Sequence, residues 1–232
     1  MPAGRRLKWI AAGLGLAAGT YAGYVATAYH RFGRLQHLSD QDSDPLLDRF
    51  LPAFEARAFH RIEVAAAPDI VLEAANQTPL LHLPLVRLII RTRELALGAT
   101  PQERTAPTTL IGEMESLGWG LLAKIPGREI VMGSITQPWE ADVVFRALPP
   151  NEFAEFREPG YVKIAWTLRA EAATGGGSVF STQTRALATD VTSRERFRRY
   201  WALFSPGMNL IRWAALGPVK ARAEQIAKQR AA

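Results

Sequence analysis

Cysteine is absent from the 232-residue chain, and histidine is scarce, with four copies. A chain without thiols holds no disulfide framework, no thiolate zinc site, no iron–sulfur cluster and no thiol nucleophile. The histidines show neither HxxxH nor HExxH spacing, so a metal site would need carboxylates brought from distant parts of the chain. We therefore predict no metal and no cofactor.

Catalytic motifs are also missing. Gly175-Gly176-Gly177 lacks the Gly-Lys-Ser/Thr ending of a phosphate-binding loop and indicates a flexible turn. Ser181 lies outside any Gly-x-Ser-x-Gly motif, which leaves nucleophilic hydrolysis without support. The sequence thus identifies no catalytic residue, and we favour a protein that is not an enzyme.

The charge of the chain is unevenly distributed. Its net charge of +6 would by itself suggest a nucleic acid or an anionic membrane as partner. Residues 1–34 carry five basic and no acidic side chains, and 193–232 carry nine basic and two acidic ones. Residues 59–192, in contrast, carry 12 basic and 15 acidic side chains. The basic excess is confined to the two ends, and we predict no nucleic-acid partner.

The amino terminus contains the longest uncharged run. Residues 9–29 lack formal charge and are flanked by basic residues on both sides. As a helix they would extend about 31 Å, which matches a hydrocarbon core of about 30 Å. The seven alanines and four glycines of this run add little transfer free energy. We predict that residues 1–34 form a single-pass membrane anchor of marginal hydrophobicity, in contact with membrane lipid.

Two other interpretations of this segment stay open. The first is a secretory signal peptide cleaved near Ala28, since Ala26-Thr27-Ala28 has the small-x-small pattern of a cleavage site. The second is a soluble or surface-lying helix rich in alanine and glycine. Gly15, Gly19 and Gly23 recur every fourth residue, which would also allow two such helices to self-associate.

Residues 35–58 form an acidic segment that we interpret as a juxtamembrane helix and linker. Asp44-Pro45 is a good helix start, with an acidic N-cap followed by proline at the first helical position. Asp40, Asp42, Asp44 and Asp48 could also suggest a calcium loop. The glycine and the closing glutamate of such a loop are missing, so we favour a solvated cap.

The remaining part, residues 59–232, predicts one α+β domain. A strand at 59–64 precedes a helix that begins at Pro68, and a second helix follows from Pro79 to Gly98. Turn residues then separate short strands, and apolar residues at 3–4 spacing from Thr192 onward predict a closing helix, kinked or broken at Pro206-Gly207. The predicted strands are 110–117, 119–125, 129–136, 143–147, 153–158, 161–171 and 178–189.

This order of elements resembles the START-like, or SRPBCC (polyketide cyclase-like), helix-grip superfamily. The opening is similar to that of the family, because the first strand leads into Ala67-Pro68-Asp69 at the start of a helix. The carboxyl-terminal part also resembles the family's last strand and grip helix, through Phe180 to Arg185, Asp190, Ser193, Phe197, Tyr200, Trp201, Ser205-Pro206-Gly207 and Ile211-Arg212. The resemblance implies an antiparallel sheet of about six to seven strands wrapped around a long C-terminal helix, with two short helices after the first strand.

The resemblance also implies a pocket between the sheet and the closing helix that accepts a lipid, sterol or polyketide-like molecule. Strand alternation and helical spacing give the lining that we predict for it. The lining residues are Met132, Ile164, Trp166, Phe180, Thr182, Tyr200, Trp201, Phe204 and Met208. The same residues could instead fill a solid core.

The functional prediction is a membrane-tethered domain that binds or transfers a hydrophobic small molecule. The alternatives are a cyclase-like or dehydratase-like enzyme and a scaffold module that binds no ligand. An enzyme would need polar groups inside the pocket, and the candidates are Glu113, Glu115 and Arg185. Arg185 could also anchor a carboxylate or a lipid headgroup. Glu113 and Glu115, two apart on a predicted strand, could share one face and form a carboxylate pair.

Overall fold

The computed structural model describes residues 3–36, 43–100 and 107–231. The fold is α+β, as predicted, with a six-stranded antiparallel sheet and a long C-terminal helix. The helices are α1 (Ala3–Arg31), α2 (Pro45–Asp48), α3 (Pro68–Asn76), α4 (Pro84–Leu97), α5 (Leu110–Ser116), α6 (Pro150–Glu155) and α7 (Val191–Ala231), with a 3₁₀ turn at Leu80–His82. The strands are β1 (Ala56–Val64), β2 (Gly120–Ile125), β3 (Glu129–Thr136), β4 (Phe145–Arg146), β5 (Val162–Ala172) and β6 (Ser178–Ala188).

The strands lie in the order β1-β6-β5-β3-β2, and β4 pairs with β3. Strands β5 and β6 pair along their whole length, with Trp166 opposite Thr184 and Leu168 opposite Thr182. On the other side of β6, His60 of the edge strand β1 lies opposite Thr182. Because side chains alternate across a strand, this register places all five on one face of the sheet.

Both faces of the sheet are covered. The face that carries Trp166 packs against α3 and α7, and we call it the inner face. The opposite, outer face packs against α2 and α6 through Leu47, Val131 and Phe153, all fully buried. The side chains of β3 are therefore buried on both faces, although antiparallel sheets commonly leave one face in water.

Two segments predicted as strands are helices. The prediction for 110–117 is wrong because Thr109 caps α5, accepting a hydrogen bond from the Gly112 amide at 3.2 Å. The prediction for 153–158 is wrong because Pro150 begins α6 at the first helical position, where its missing N–H costs nothing. Phe153 of α6 is fully buried on the outer face.

Helix α7 continues through the expected interruption at Pro206-Gly207, and also through Pro218. Asp190 lies at its start and accepts a hydrogen bond from the Ser193 amide at 2.9 Å and another from the Ser193 hydroxyl at 2.5 Å. The helix packs against α1, α3, α4 and the inner face, so it is the element around which the domain is organised.

Helix α1 packs with its C-terminal end against α7. Tyr24 and Ser205 share a hydrogen bond of 2.9 Å between their hydroxyls, and Phe32 meets Trp201 edge to face. Among residues 3–36, 43–100 and 107–231, no helix is long and apolar enough to cross a membrane. A Cβ added at Gly15, Gly19 or Gly23 would meet nothing within 4 Å. Asp40 and Asp42 lie outside the described residues.

Candidate binding site between the sheet and α7

The apolar core beneath α7 is divided into two clusters. One lies under the end of the helix, where Leu216 and Val219 pack with Trp166 and Phe180. The other lies under its beginning, where Trp201 packs with partners that include Val162, Ala186 and Phe197. Among the described residues, no buried side chain of α7 between Trp201 and Leu216 belongs to either cluster. The middle of α7 thus covers a part of the inner face that lies between the two clusters.

Polar side chains occupy the sheet beneath that middle part. Thr182 and Thr184 of β6 and His60 of β1 point to the inner face, and Arg212 of α7 reaches toward them. The Arg212 guanidinium donates a hydrogen bond to the Thr182 hydroxyl at 3.1 Å. We call these four residues the polar gap, since they separate the two apolar clusters.

Several polar atoms in and beside the polar gap are buried without a hydrogen-bond partner. They are the Thr184 hydroxyl, Nδ1 of His60 and the indole nitrogen of Trp201. Such a group costs about 1–3 kcal/mol when it is buried unpaired. Most buried polar groups in native proteins are paired, so three unpaired atoms in one interior need a physical explanation.

Arg212 is a cation that lies partly inside the protein. Its side chain is half-buried, and desolvation lowers the pKa of the guanidinium to about 10. In the described part of the chain the Thr182 hydroxyl is its hydrogen-bond partner, and no carboxylate forms an ion pair with it. The pKa of His60 is lowered, first by desolvation and then by the charge of Arg212, which keeps the imidazole neutral at pH 7.

An open groove lies beside this region, and His60 is the member of the polar gap that lines it. It has a volume of about 490 Å³ and lies between the edge strand β1 and residues 213–218 of α7. His60, Arg61 and Ile62 line it on the sheet side, and Trp213, Leu216 and Pro218 line it on the helix side. A mostly apolar groove with a few polar groups at one end is typical of sites for small amphipathic molecules.

The predicted pocket residues lie along the inner face and α7, but they divide between the two clusters. Met132, Trp166 and Phe180 belong to the cluster at the end of α7, and Ile164, Tyr200 and Trp201 lie in or against the cluster at its beginning. The other three are Thr182, which bonds Arg212, Phe204, which packs against Tyr200 with ring centroids 4.9 Å apart, and the half-buried Met208.

The three predicted polar anchors lie elsewhere. Arg185 is fully buried on the outer face, where it pairs with Asp48 at 2.5 Å. Glu113 is buried in α5 and accepts hydrogen bonds from the Leu80 and Leu81 amides at 2.7 and 2.8 Å. Glu115 is exposed. The structure does not bring these three side chains together, and none of them belongs to the polar gap.

Sequence reasoning missed three members of the polar gap. Alternation along β1 places His60 on the same face as Ala56, Ala58 and Val64, and it places Thr184 beside Thr182. Arg212 interrupts the apolar positions of α7 four residues after Met208 and four before Leu216. A single cation within an apolar helical stripe is the signal that could have identified it.

Among the described residues, no group of three or more His, Asp or Glu side chains could hold a metal ion. No protein-family model matches the chain. No curated protein matches it either.

Two solved structures show a distant similarity. One is a protein from Chromobacterium violaceum, 9% identical, covering 72% of this chain and 96% of its own, with a TM-score of 0.29. The other is a protein from Deinococcus radiodurans, 14% identical, covering 67% of this chain and 98% of its own, with a TM-score of 0.27. Both are structural-genomics targets. At these TM-scores neither similarity assigns the chain to a family.

Proposed function

We propose that the chain is a START-like helix-grip domain that binds a hydrophobic small molecule between the inner face and α7. The observation that carries the proposal is the polar gap, which divides the apolar core and contains buried polar atoms without partners. A molecule with an apolar body and a polar group would fill the space between the clusters and bond the Thr184 hydroxyl and His60. The groove between β1 and α7 provides its route of entry.

Substitution of Thr184 by valine tests this binding site in the full chain. Valine has the shape of threonine without the hydroxyl, so T184V should stabilise the ligand-free protein by about 1 kcal/mol. Dodecanol serves as a probe with an apolar body and one hydroxyl. We expect it to raise the melting temperature of the wild type and to raise that of T184V less, because the variant lacks one hydrogen-bonding group.

Thr167→Val is the matched control on the neighbouring strand β5. The Thr167 hydroxyl is on the outer face and accepts a hydrogen bond from the backbone N–H of Gln183 at 3.3 Å. This variant should lose stability without ligand and keep the full response to dodecanol. The proposal is wrong if neither dodecanol nor dodecanoate shifts the melting temperature of the wild type, since a helix-grip binding protein should accept at least one of them.

Attachment to a membrane through residues 1–34 stays a prediction. It is supported by the basic flanks of the uncharged run and by the basic end of α7, where Lys220, Arg222, Lys228 and Arg230 could lie against anionic headgroups. Fractionation of cells that express the full chain tests it, and recovery of the whole chain without membranes would contradict it. A shortened chain in the supernatant would instead identify the alternative, cleavage near Ala28.

A further inference from the structure

Arg212 adds a feature that hydrophobic binding alone does not require. A charged group inside a protein is stable when it is paired, and removal of its partner ordinarily destabilises the fold by several kcal/mol. Arg185, a fully buried guanidinium, obeys this rule through Asp48 at 2.5 Å and the Leu51 carbonyl at 3.0 Å. Arg212, in contrast, faces one neutral hydroxyl among the described residues. Two arginines of one domain thus differ in whether the protein provides the anion.

The groups around Arg212 suit an oxyanion. The guanidinium has five N–H donors in a planar fork, and one of its nitrogens donates to Thr182. The Thr184 hydroxyl can donate a further hydrogen bond, and Nδ1 of His60 is buried with no protein partner. Thr182 lies opposite His60 and two residues from Thr184 on the same face, so these groups are neighbours on the inner face. A carboxylate or phosphate accepts several hydrogen bonds at once.

We infer that the molecule bound beneath α7 is an amphipathic anion, with one carboxylate or phosphate group that pairs with Arg212. This inference rests on the function proposed above and names the chemical class of the ligand. The apolar body of the molecule lies along the groove, against Ile62, Trp213 and Leu216. The anionic group lies in the polar gap, where it supplies the negatively charged partner that no described residue provides for Arg212.

Four probes with the same alkyl chain test the charge preference of the wild-type full chain: dodecanoate, dodecyl phosphate, dodecanol and dodecyltrimethylammonium. Titration by isothermal calorimetry below the micelle concentrations gives their dissociation constants. We expect one of the two anions to bind at least about tenfold more tightly than dodecanol, as a charge-assisted hydrogen bond implies. The cation should bind most weakly. Comparison of dodecanoate with dodecyl phosphate identifies which oxyanion the site prefers.

Arg212→Met keeps an apolar side chain of similar length and removes the charge. This variant should lose the roughly tenfold preference for the anion over dodecanol. Its ligand-free form should be at least as stable as the wild type, because an unpaired interior charge is gone. Arg199→Met is the matched control on α7, since the Arg199 side chain is 70% exposed and pairs with Glu195. It should leave all four affinities unchanged.

The outcomes separate this inference from the proposed function. Equal binding of dodecanol and both anions would overturn the anionic ligand and leave the hydrophobic site intact. Binding of none of the four probes would overturn both. If R212M fails to fold, the comparison of the four probes on the wild type still decides, because it needs no variant.

Discussion

At the scale of single residues, the outer face contains a carboxyl group, that of Glu129, whose burial disfavours its charged form. Glu129 is 2% exposed, and its Oε1 atom has no hydrogen-bond partner. Burial, and then the neighbouring Asp44 carboxyl, raise the pKa of Glu129 from 4.5 to about 8. The folded protein therefore favours the protonated form. The stability gained from this protonation is fully present below about pH 4.5 and is lost as the pH rises to about 8.

Glu129→Gln tests this dependence, because glutamine resembles the protonated acid at every pH. We expect E129Q to match the wild type near pH 5 and to exceed its free energy of unfolding by about 4 kcal/mol near pH 8.5. Urea unfolding at the two pH values measures the difference. Glu115→Gln, at an exposed position of α5, is the control and should show no such change between the two pH values. A constant difference for E129Q would contradict the raised pKa.

At this scale, sequence patterns predict which side chains share a face of the sheet, but not what covers that face. Alternation along β5 places Trp166 and Arg169 on opposite faces, as the sheet shows. Alternation does not predict that the outer face is covered too, because the covering helices α2 and α6 come from distant parts of the chain. If one face of the sheet were open, Arg185 would be a candidate anchor for a ligand. In the structure, Arg185 instead pairs with Asp48 of α2 on the covered outer face. Partners far apart in sequence decide what a buried charge does.

At the scale of secondary structure elements, caps decide where helices begin. Thr109 and Pro150 are both recognised start signals, yet spacing alone predicts strand around them because each helix is only six or seven residues long. In so short a segment, helical and strand spacing are hard to distinguish. The longer strands β3, β5 and β6 agree closely with the prediction, because their periodic patterns extend over many residues. For α7 the sequence predicts a helix but also an interruption at Pro206-Gly207, through which the helix continues.

Asp190 provides a test of capping at the start of α7. Its carboxylate accepts hydrogen bonds from Ser193 and, at 2.6 Å, from the Gly160 amide. The Ser193 hydroxyl, followed by the Gly160 amide, lowers the pKa of Asp190 to about 2. D190A should lower the free energy of unfolding by about 1 kcal/mol at pH 7, and D190N should lose less, because asparagine also caps helices.

The pH dependence of the same variants gives a second measurement. Because the folded-state pKa of Asp190 is depressed, its contribution is present above about pH 4 and is lost as the pH falls toward 2. Chemical unfolding between pH 7 and pH 2.5 should therefore show the D190A curve approaching that of the wild type. A difference that persists at the lowest pH would show that the carboxylate is not the stabilising group.

At the scale of the whole molecule, α7 joins the N-terminal helix to the rest of the fold. The Arg198 guanidinium lies 4.0 Å from the centre of the Tyr29 ring and donates to the Tyr29 carbonyl, while the Tyr29 hydroxyl donates to Glu195 at 2.6 Å. Phe32 adds its contact with Trp201, which belongs to one of the clusters beside the polar gap. Among the described side chains, those in the C-terminal half of α1 therefore attach it to α7.

Tyr29→Ala should release α1 locally while the sheet stays folded. The variant loses a charge-assisted hydrogen bond and a cation–π contact, which together correspond to a change of about tenfold or more in local opening. Hydrogen–deuterium exchange should accelerate in residues 20–32 and stay unchanged in β5 and β6. Leu16→Ala, at a side chain 77% exposed, is the control. Equal exchange rates in Y29A and wild type would show that other contacts hold α1.

The two prolines inside α7 have a mechanical consequence for this arrangement. Proline has no backbone N–H, so Pro206 and Pro218 leave the carbonyls of Ala202 and Ala214 without their usual intrahelical donors. Helix α7 therefore lacks two of its backbone hydrogen bonds, one on each side of Arg212. Trp201, before the first proline, and Val219, after the second, belong to the two apolar clusters, and Arg212 lies between the prolines. Because helices bend most readily at proline, bending of α7 would fall at the two ends of the segment that carries Arg212.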